Sequence, residues 1–181
     1  MMVYNFLLLS DEADNFKREI QISSQASFLD FNQAILQATG YEENQIYSFF
    51  ICDDDWSKKT EITLFEMDTS SEEDSYIMES TLLEELLSEE RQKLLFVFDQ
   101  LTERVLFIEL MEIITGKDLK KPVCTTSVGN PPPQFVDFEL ESHELNTDLG
   151  ENFYGDDAYD DDDLDGLEDD LFQGDFDDNR F

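Results

Sequence analysis

Leu94-Leu95-Phe96-Val97-Phe98-Asp99-Gln100-Leu101-Thr102-Glu103-Arg104-Val105-Leu106-Phe107-Ile108-Glu109-Leu110-Met111-Glu112-Ile113 decides the fold. Two apolar runs, Leu94–Phe98 and Arg104–Ile113, flank the break Asp99-Gln100-Leu101-Thr102. Short apolar runs joined by so brief a connection predict an antiparallel hairpin. Both faces of the second run are largely apolar, which predicts a central place in a sheet. Gly116 ends that run. The longest apolar stretch, Val105 to Ile114, is cut by Glu109 and Glu112. No segment approaches the roughly 20 apolar residues of a membrane-spanning helix.

Working back toward the N-terminus, the same logic finds a second hairpin. Val3–Leu9 is apolar, and Ser10 to Asn15 turns the chain. In Phe16–Ile22, residues Phe16, Arg18, Ile20 and Ile22 share one face, with Lys17, Glu19 and Gln21 on the other. A helix follows. Ser27 and Asp30 have capping-box spacing, Phe28, Phe31, Ile35 and Ala38 form one stripe, and Gly40 closes it. Ile46–Ile51 and Glu61–Met67 read as strands around the turn Asp53-Asp54-Asp55-Trp56-Ser57. Asp68–Ser75 is a polar loop, and Thr81 with Glu84 predicts a cap for a short helix whose Leu82, Leu83, Leu86 and Leu87 face inward.

Beyond the central hairpin, Lys117–Gln134 reads as a loop that ends in Gly129-Asn130-Pro131-Pro132-Pro133. Three prolines make a stiff, extended exit. The expected organisation is one globular domain over residues 1–136 and a tail over 137–181. The chain carries 45 acidic and 11 basic side chains, for a net charge of −34. Of these, 19 acidic residues but only one basic residue, Arg180, lie in the tail. Such a segment has too little apolar surface to offset its chain entropy. The expected fold class is α+β, a mostly antiparallel sheet with helices packed on one face, followed by a disordered acidic tail.

Composition also excludes chemistry. Direct nucleic-acid binding needs clustered Lys and Arg. The densest pairs here are Lys17-Arg18, Lys58-Lys59 and Lys120-Lys121, each ordinary for a solvated surface. His143 is the sole histidine and lies in the tail, so His-based zinc sites and triads are excluded from the body. Cys52 and Cys124 form no Cys-x-x-Cys unit and read as free buried thiols. Asp53-Asp54-Asp55-Trp56 reads as a solvated turn beside a core Trp. The N-terminus has neither the basic flank nor the apolar length of a secretion signal. A cytoplasmic protein is expected, with no membrane partner. No catalytic motif stands out, and no cofactor is implied.

The tail is punctuated by apolar residues. Leu164, Leu167, Leu171 and Phe172 have helical spacing, and Phe153, Tyr154, Tyr159 and Phe176 are scattered among the acids. Alternating acidic and aromatic residues suit docking onto a basic protein surface. The final Asp175-Phe176-Asp177-Asp178-Asn179-Arg180-Phe181 is similar to the acidic tips of bacterial single-stranded-DNA-binding proteins, though Asn179-Arg180 departs from their apolar-Pro. In such tips the terminal carboxylate and Phe, here Phe181, enter a partner's pocket. Asp161, Asp163 and Asp165 before Gly166 match the opening of a calcium loop. The twelfth position of such a loop should be a bidentate Glu and is Phe172. Calcium is therefore the one metal ion the sequence suggests, with diffuse cation condensation on the charge run as the alternative.

The order of elements, with Arg18 inside Phe16-Lys17-Arg18-Glu19-Ile20, Ala38-Thr39-Gly40-Tyr41, Phe96-Val97-Phe98-Asp99 and Pro122-Val123-Cys124…Gly129…Pro132-Pro133, resembles a known family. It is the family first named from an open reading frame of plasmid pRiA4b, whose members also occur as passenger proteins of transposable elements. The resemblance covers about residues 3–134. The Gly, second Asp and Trp of the late family signature are replaced by Leu101, Thr102 and Arg104, and the family's His positions are lost. The resemblance thus implies a retained scaffold with a changed or non-catalytic role. The leading expectation is a non-enzymatic interaction protein whose tail engages a basic protein surface, by charge mimicry of nucleic acid. The alternatives are a small-ligand-binding or enzymatic member with a degenerate pocket, and a calcium-responsive acidic protein.

Overall fold

A computed structural model describes residues 1–66 and 76–136. The expected loop Asp68–Ser75, the apolar tail residues and the calcium-type loop lie outside them. The elements are β1 (Met2–Leu9), β2 (Lys17–Ser23), α1 (Phe28–Thr39), β3 (Ser48–Cys52), β4 (Lys58–Thr63), β5 (Tyr76–Ile77), α2 (Leu83–Leu86), β6 (Lys93–Asp99), β7 (Arg104–Thr115) and β8 (Val123–Val128). The fold is mostly sheet with few helices. The strands form one sheet in the order β5-β4-β3-β6-β7-β1-β2-β8. Every pairing is antiparallel except β4 with β5.

The central hairpin forms as its pattern requires. β6 and β7 pair from Lys93↔Glu109 to Asp99↔Arg104 and occupy the middle of the sheet. The strand buried on both faces is β6, where Leu94 through Phe98 are all buried. β7 alternates, with Leu106, Ile108 and Leu110 inward. The Asp99 carboxylate closes the turn by accepting from the Leu101 N–H at 3.0 Å and the Thr102 hydroxyl at 2.6 Å. Those bonds favour the ionised carboxylate and pull its pKa down, the Thr102 hydroxyl most of all.

The N-terminal hairpin and α1 also follow the reading. Arg18, Ile20 and Ile22 point inward along β2. Ser27 Oγ accepts from the Asp30 N–H and Asp30 accepts from the Ser27 N–H, and Gly40 ends α1 with φ 76°. Phe31 stacks on Phe6 of β1 at 4.4 Å and on Phe49 of β3 at 5.4 Å. Burying rings of this size dominates the local packing energy.

Five local expectations are corrected. β3 and β4 run Ser48–Cys52 and Lys58–Thr63 rather than Ile46–Ile51 and Glu61–Met67. The intervening turn is tight, with Trp56 at φ 69°, so pairing restarts at once with Cys52 opposite Lys58. Trp56 is half-buried rather than core, with its ring edge-on to Phe107 at 5.0 Å. The cap of α2 shifts by one residue: Glu85 reaches back to the Leu82 N–H, while Glu84 accepts from the Ser24 hydroxyl at 2.7 Å. Finally, the expected loop Lys117–Gln134 contains β8, an edge strand on β2. Both cysteines are free, but Cys124 is exposed on β8 and Cys52 only half-buried. No helix among the described residues is long and apolar enough to cross a membrane.

Candidate functional site: a clamp on the proline strap

Residues 129–134 leave β8 as a strap that includes Pro131, Pro132 and Pro133. Proline has no N–H, so such a strap can be held mainly through its carbonyls. The sheet supplies matching donors. Arg18 Nη1 donates to the Val128 carbonyl at 2.6 Å and Nη2 to Gly129 at 3.0 Å. The Tyr41 hydroxyl donates to Pro132 at 2.7 Å. Arg104 Nη2 donates to Pro133 at 2.7 Å and Nη1 to Gln134 at 3.3 Å. Five carbonyls are thus held by three side chains.

Each donor is itself held. Arg18 is only 5% exposed, with Nε on the Ala38 carbonyl at the end of α1 and Nη1 also on Lys17. Its guanidinium lies 4.7 Å from the Phe16 ring centre. Arg104 makes a two-pronged pair with Glu12, Nη2 to Oε2 at 2.6 Å and Nε to Oε1 at 2.9 Å. That carboxylate raises the pKa of Arg104. Arg104 also lies 4.8 Å over Phe98, whose ring packs on Tyr41 at 5.2 Å. Burial pushes the Tyr41 phenol well above its usual range, so it remains a neutral donor.

Gln134 closes the strap. Its Oε1 accepts from the Glu42 N–H at 2.7 Å, and its Nε2 donates to the Tyr47 hydroxyl at 2.7 Å. The Tyr47 hydroxyl donates in turn to the Glu42 carbonyl. Burial pushes the Tyr47 phenol up to about 12. At the other end, a Cβ on Gly129 would overlap the Asn15 carbonyl, and its φ of 66° also favours glycine.

The structure brings together Arg18, Phe98, Gly129 and Pro132 from the resemblance-derived set. Phe96 supports them from below by stacking on Tyr47 at 5.3 Å. Asp99 instead caps the β6–β7 turn, Pro122 immediately precedes β8, and Cys124 lies near the start of β8, opposite Ile20. Sequence reading missed Glu12, Tyr41, Tyr47, Arg104 and Gln134. One signal was available: a run of prolines needs donors, and Arg104 stands where the family pattern has a different residue type.

The clamp's donors are committed to backbone carbonyls, which makes it a holding device. A separate polar concavity is an open cleft of about 420 Å³ lined by Cys52, the three Asp of the turn, Arg91 and Lys93. There Asp53 pairs with Lys59 at 2.9 Å and Asp55 accepts from the Ser57 N–H. Bonds to Ser57 lower the Asp55 pKa. Among the described residues no cluster of three His, Cys, Asp or Glu side chains is placed to hold a metal ion.

No curated protein matches the chain. Among solved structures, the protein of unknown function MM3350 from Methanosarcina mazei Go1 is similar, with 18% identity and a TM-score of 0.56 over 70% of this chain and 69% of that one. At that identity the likeness speaks to the fold. The family signal is broader: the profile of plasmid pRiA4b ORF-3-like proteins matches residues 5–165, beyond the point where the resemblance read from motifs ended. On that match, the chain belongs to the plasmid pRiA4b ORF-3-like protein family.

Proposed function

We propose that the chain is a non-enzymatic, intracellular interaction protein whose acidic segment, residues 137–181, engages a basic protein surface. The observation that carries this reading is the segregation of charge. The last 45 residues hold 19 of the 45 acidic side chains and one basic one. They follow, after Phe135 and Val136, a strap anchored through four of its carbonyls and through that of Val128 before it. A fixed point of departure suits a body whose role is to present that segment. The body is read here as a sheet with its helices on one face, a reading supported by Phe28 and Phe31 packing on Phe49. Long-range attraction between opposite charges speeds encounter and selects partners by sign. The surface engaged would be one that otherwise meets nucleic acid.

The test is affinity capture from lysate with the full chain and with residues 1–136, after circular dichroism establishes that the shorter chain folds. Capture of a basic protein at near-physiological salt by the full chain alone is expected. Equal capture by both would place the function in the body. Capture that vanishes at physiological salt would reduce the segment to generic electrostatics.

A further inference from the structure

Ten of the 11 basic side chains lie within residues 1–136, and most are already engaged there. Lys17, Lys59, Arg91 and Arg104 form ion pairs. Arg18 is held by carbonyls, and Lys58 and Lys93 lie over the Phe50 and Trp56 rings. Lys117 donates to Gln21 Oε1 at 2.7 Å. Lys120 and Lys121 are exposed, and among the described residues neither has an ion pair, a hydrogen bond or an aromatic ring. In a chain of net charge −34, two adjacent cations without a partner among the described residues are an exception.

Their position adds a second observation. They precede β8 by one residue, Pro122, and among the described residues β8 pairs with β2 on one side and with no strand on the other. An edge strand presents a row of backbone donors and acceptors that can template another strand. Val123 and Val128 at its two ends are 45% and 51% exposed. Beside Lys120 and Lys121 lies a cleft of about 350 Å³ whose apolar wall includes Ile22, Ala26, Leu119 and Pro122. Asp30 also reaches this cleft, but its carboxylate is held by Ser27 in the cap of α1.

We propose that the free edge of β8 accepts an extended acidic segment of a partner protein as an added strand. Lys120 and Lys121 would meet its carboxylates, and one apolar side chain would enter the cleft. The local charge of Lys120 and Lys121 selects an acidic occupant. Two lysines are too few for a phosphate backbone, which needs a run of cations. This surface is built from residues of the body, and the proposal does not depend on the function assigned to the acidic segment.

The probe is a labelled peptide of about eight residues alternating Glu with Val, titrated into the full chain. Binding is expected, with amide resonances of Val123–Val128 shifting on addition. K120E/K121E, which changes only exposed side chains, is expected to weaken it about tenfold. Three controls can overturn the proposal. Equal binding by K120E/K121E would remove the role of the lysines. Equal binding by a peptide of the same charge with prolines in place of Val would remove strand addition. Equal binding by single-stranded DNA of the same charge would make this an anion site. Absence of peptide binding at millimolar concentration, or shifts confined to other strands, would likewise sink it.

Discussion

Arg18 is a buried cation that forms no ion pair among the described residues. Carbonyls of Ala38, Lys17, Val128 and Gly129 surround it. Hydrogen bonds to charged groups contribute more than neutral ones, and carbonyls left unpaired carry a desolvation cost. Arg18→Met is therefore expected to lose about 3 kcal/mol of stability, read as a lower urea midpoint. Arg18→Lys should recover only part of it, because an ammonium is a point donor and not a planar fork. A midpoint unchanged in both variants would show that the strap does not depend on this side chain. Tyr47 allows a test by pH. Its phenol is raised from 10.0 to about 12, with burial as the main cause. The folded state thus holds the proton more tightly than the unfolded one. The contribution is fully present below pH 10 and is lost as pH climbs toward about 12. Alkaline titration followed by circular dichroism should show stability falling across that window, and Tyr47→Phe should flatten the fall. An unchanged alkaline profile in that variant would assign the loss to other groups.

At the scale of elements, the strap shows how a segment without donors is held. Its carbonyls meet Arg and Tyr side chains from β2, β7 and the end of α1, three regions distant in sequence from the strap. Gly129 is the hinge between β8 and the strap. Gly129→Ala would place a methyl group against the Asn15 carbonyl at a left-handed φ. The expected loss is about 2–3 kcal/mol, measured by thermal unfolding, with a smaller loss for Gly116→Ala, where a Cβ meets nothing within 4 Å. Equal losses at both glycines would leave only the backbone effect. The same elements mark what was legible beforehand. The hairpins β1–β2 and β6–β7, and α1 with its Ser27–Asp30 cap, were legible because period, cap and turn chemistry agree locally. β8 was not, since Val123–Val128 is an exposed edge whose Thr and Ser carry no apolar alternation. β5 is two residues long and exists through its parallel pairing with β4. The α2 cap moved because Glu84 bonds to Ser24, 60 positions away. Within the site, Arg18 and Gly129 could be flagged from motifs, but Glu12, Tyr41 and Gln134 become neighbours of the strap only once the sheet is assembled.

For the whole molecule, charge outweighs every single contact. The described body has few ion pairs, and each is small and partly exposed apart from Arg104 with Glu12. A net charge of −34 on 181 residues works against any compact state through self-repulsion. Salt screens that repulsion over about 10 Å at 0.1 M. The melting temperature is thus expected to rise by about 5 °C between about 0.02 M and about 0.5 M NaCl. Divalent cations should act at far lower concentration, because they neutralise clustered carboxylates more efficiently. The comparison of calcium with magnesium then separates condensation from a built site. Asp161, Asp163 and Asp165 offer the opening oxygens of a calcium loop, but Phe172 stands where the bidentate carboxylate belongs. Without that ligand the larger ion gains no coordination advantage over the smaller one. Calcium and magnesium should therefore raise the melting temperature equally at equal concentration, and calorimetry should give no saturable heat specific to calcium. A calcium-specific heat with defined stoichiometry, abolished by Asp161→Asn, would establish a true loop site and make the chain calcium-responsive.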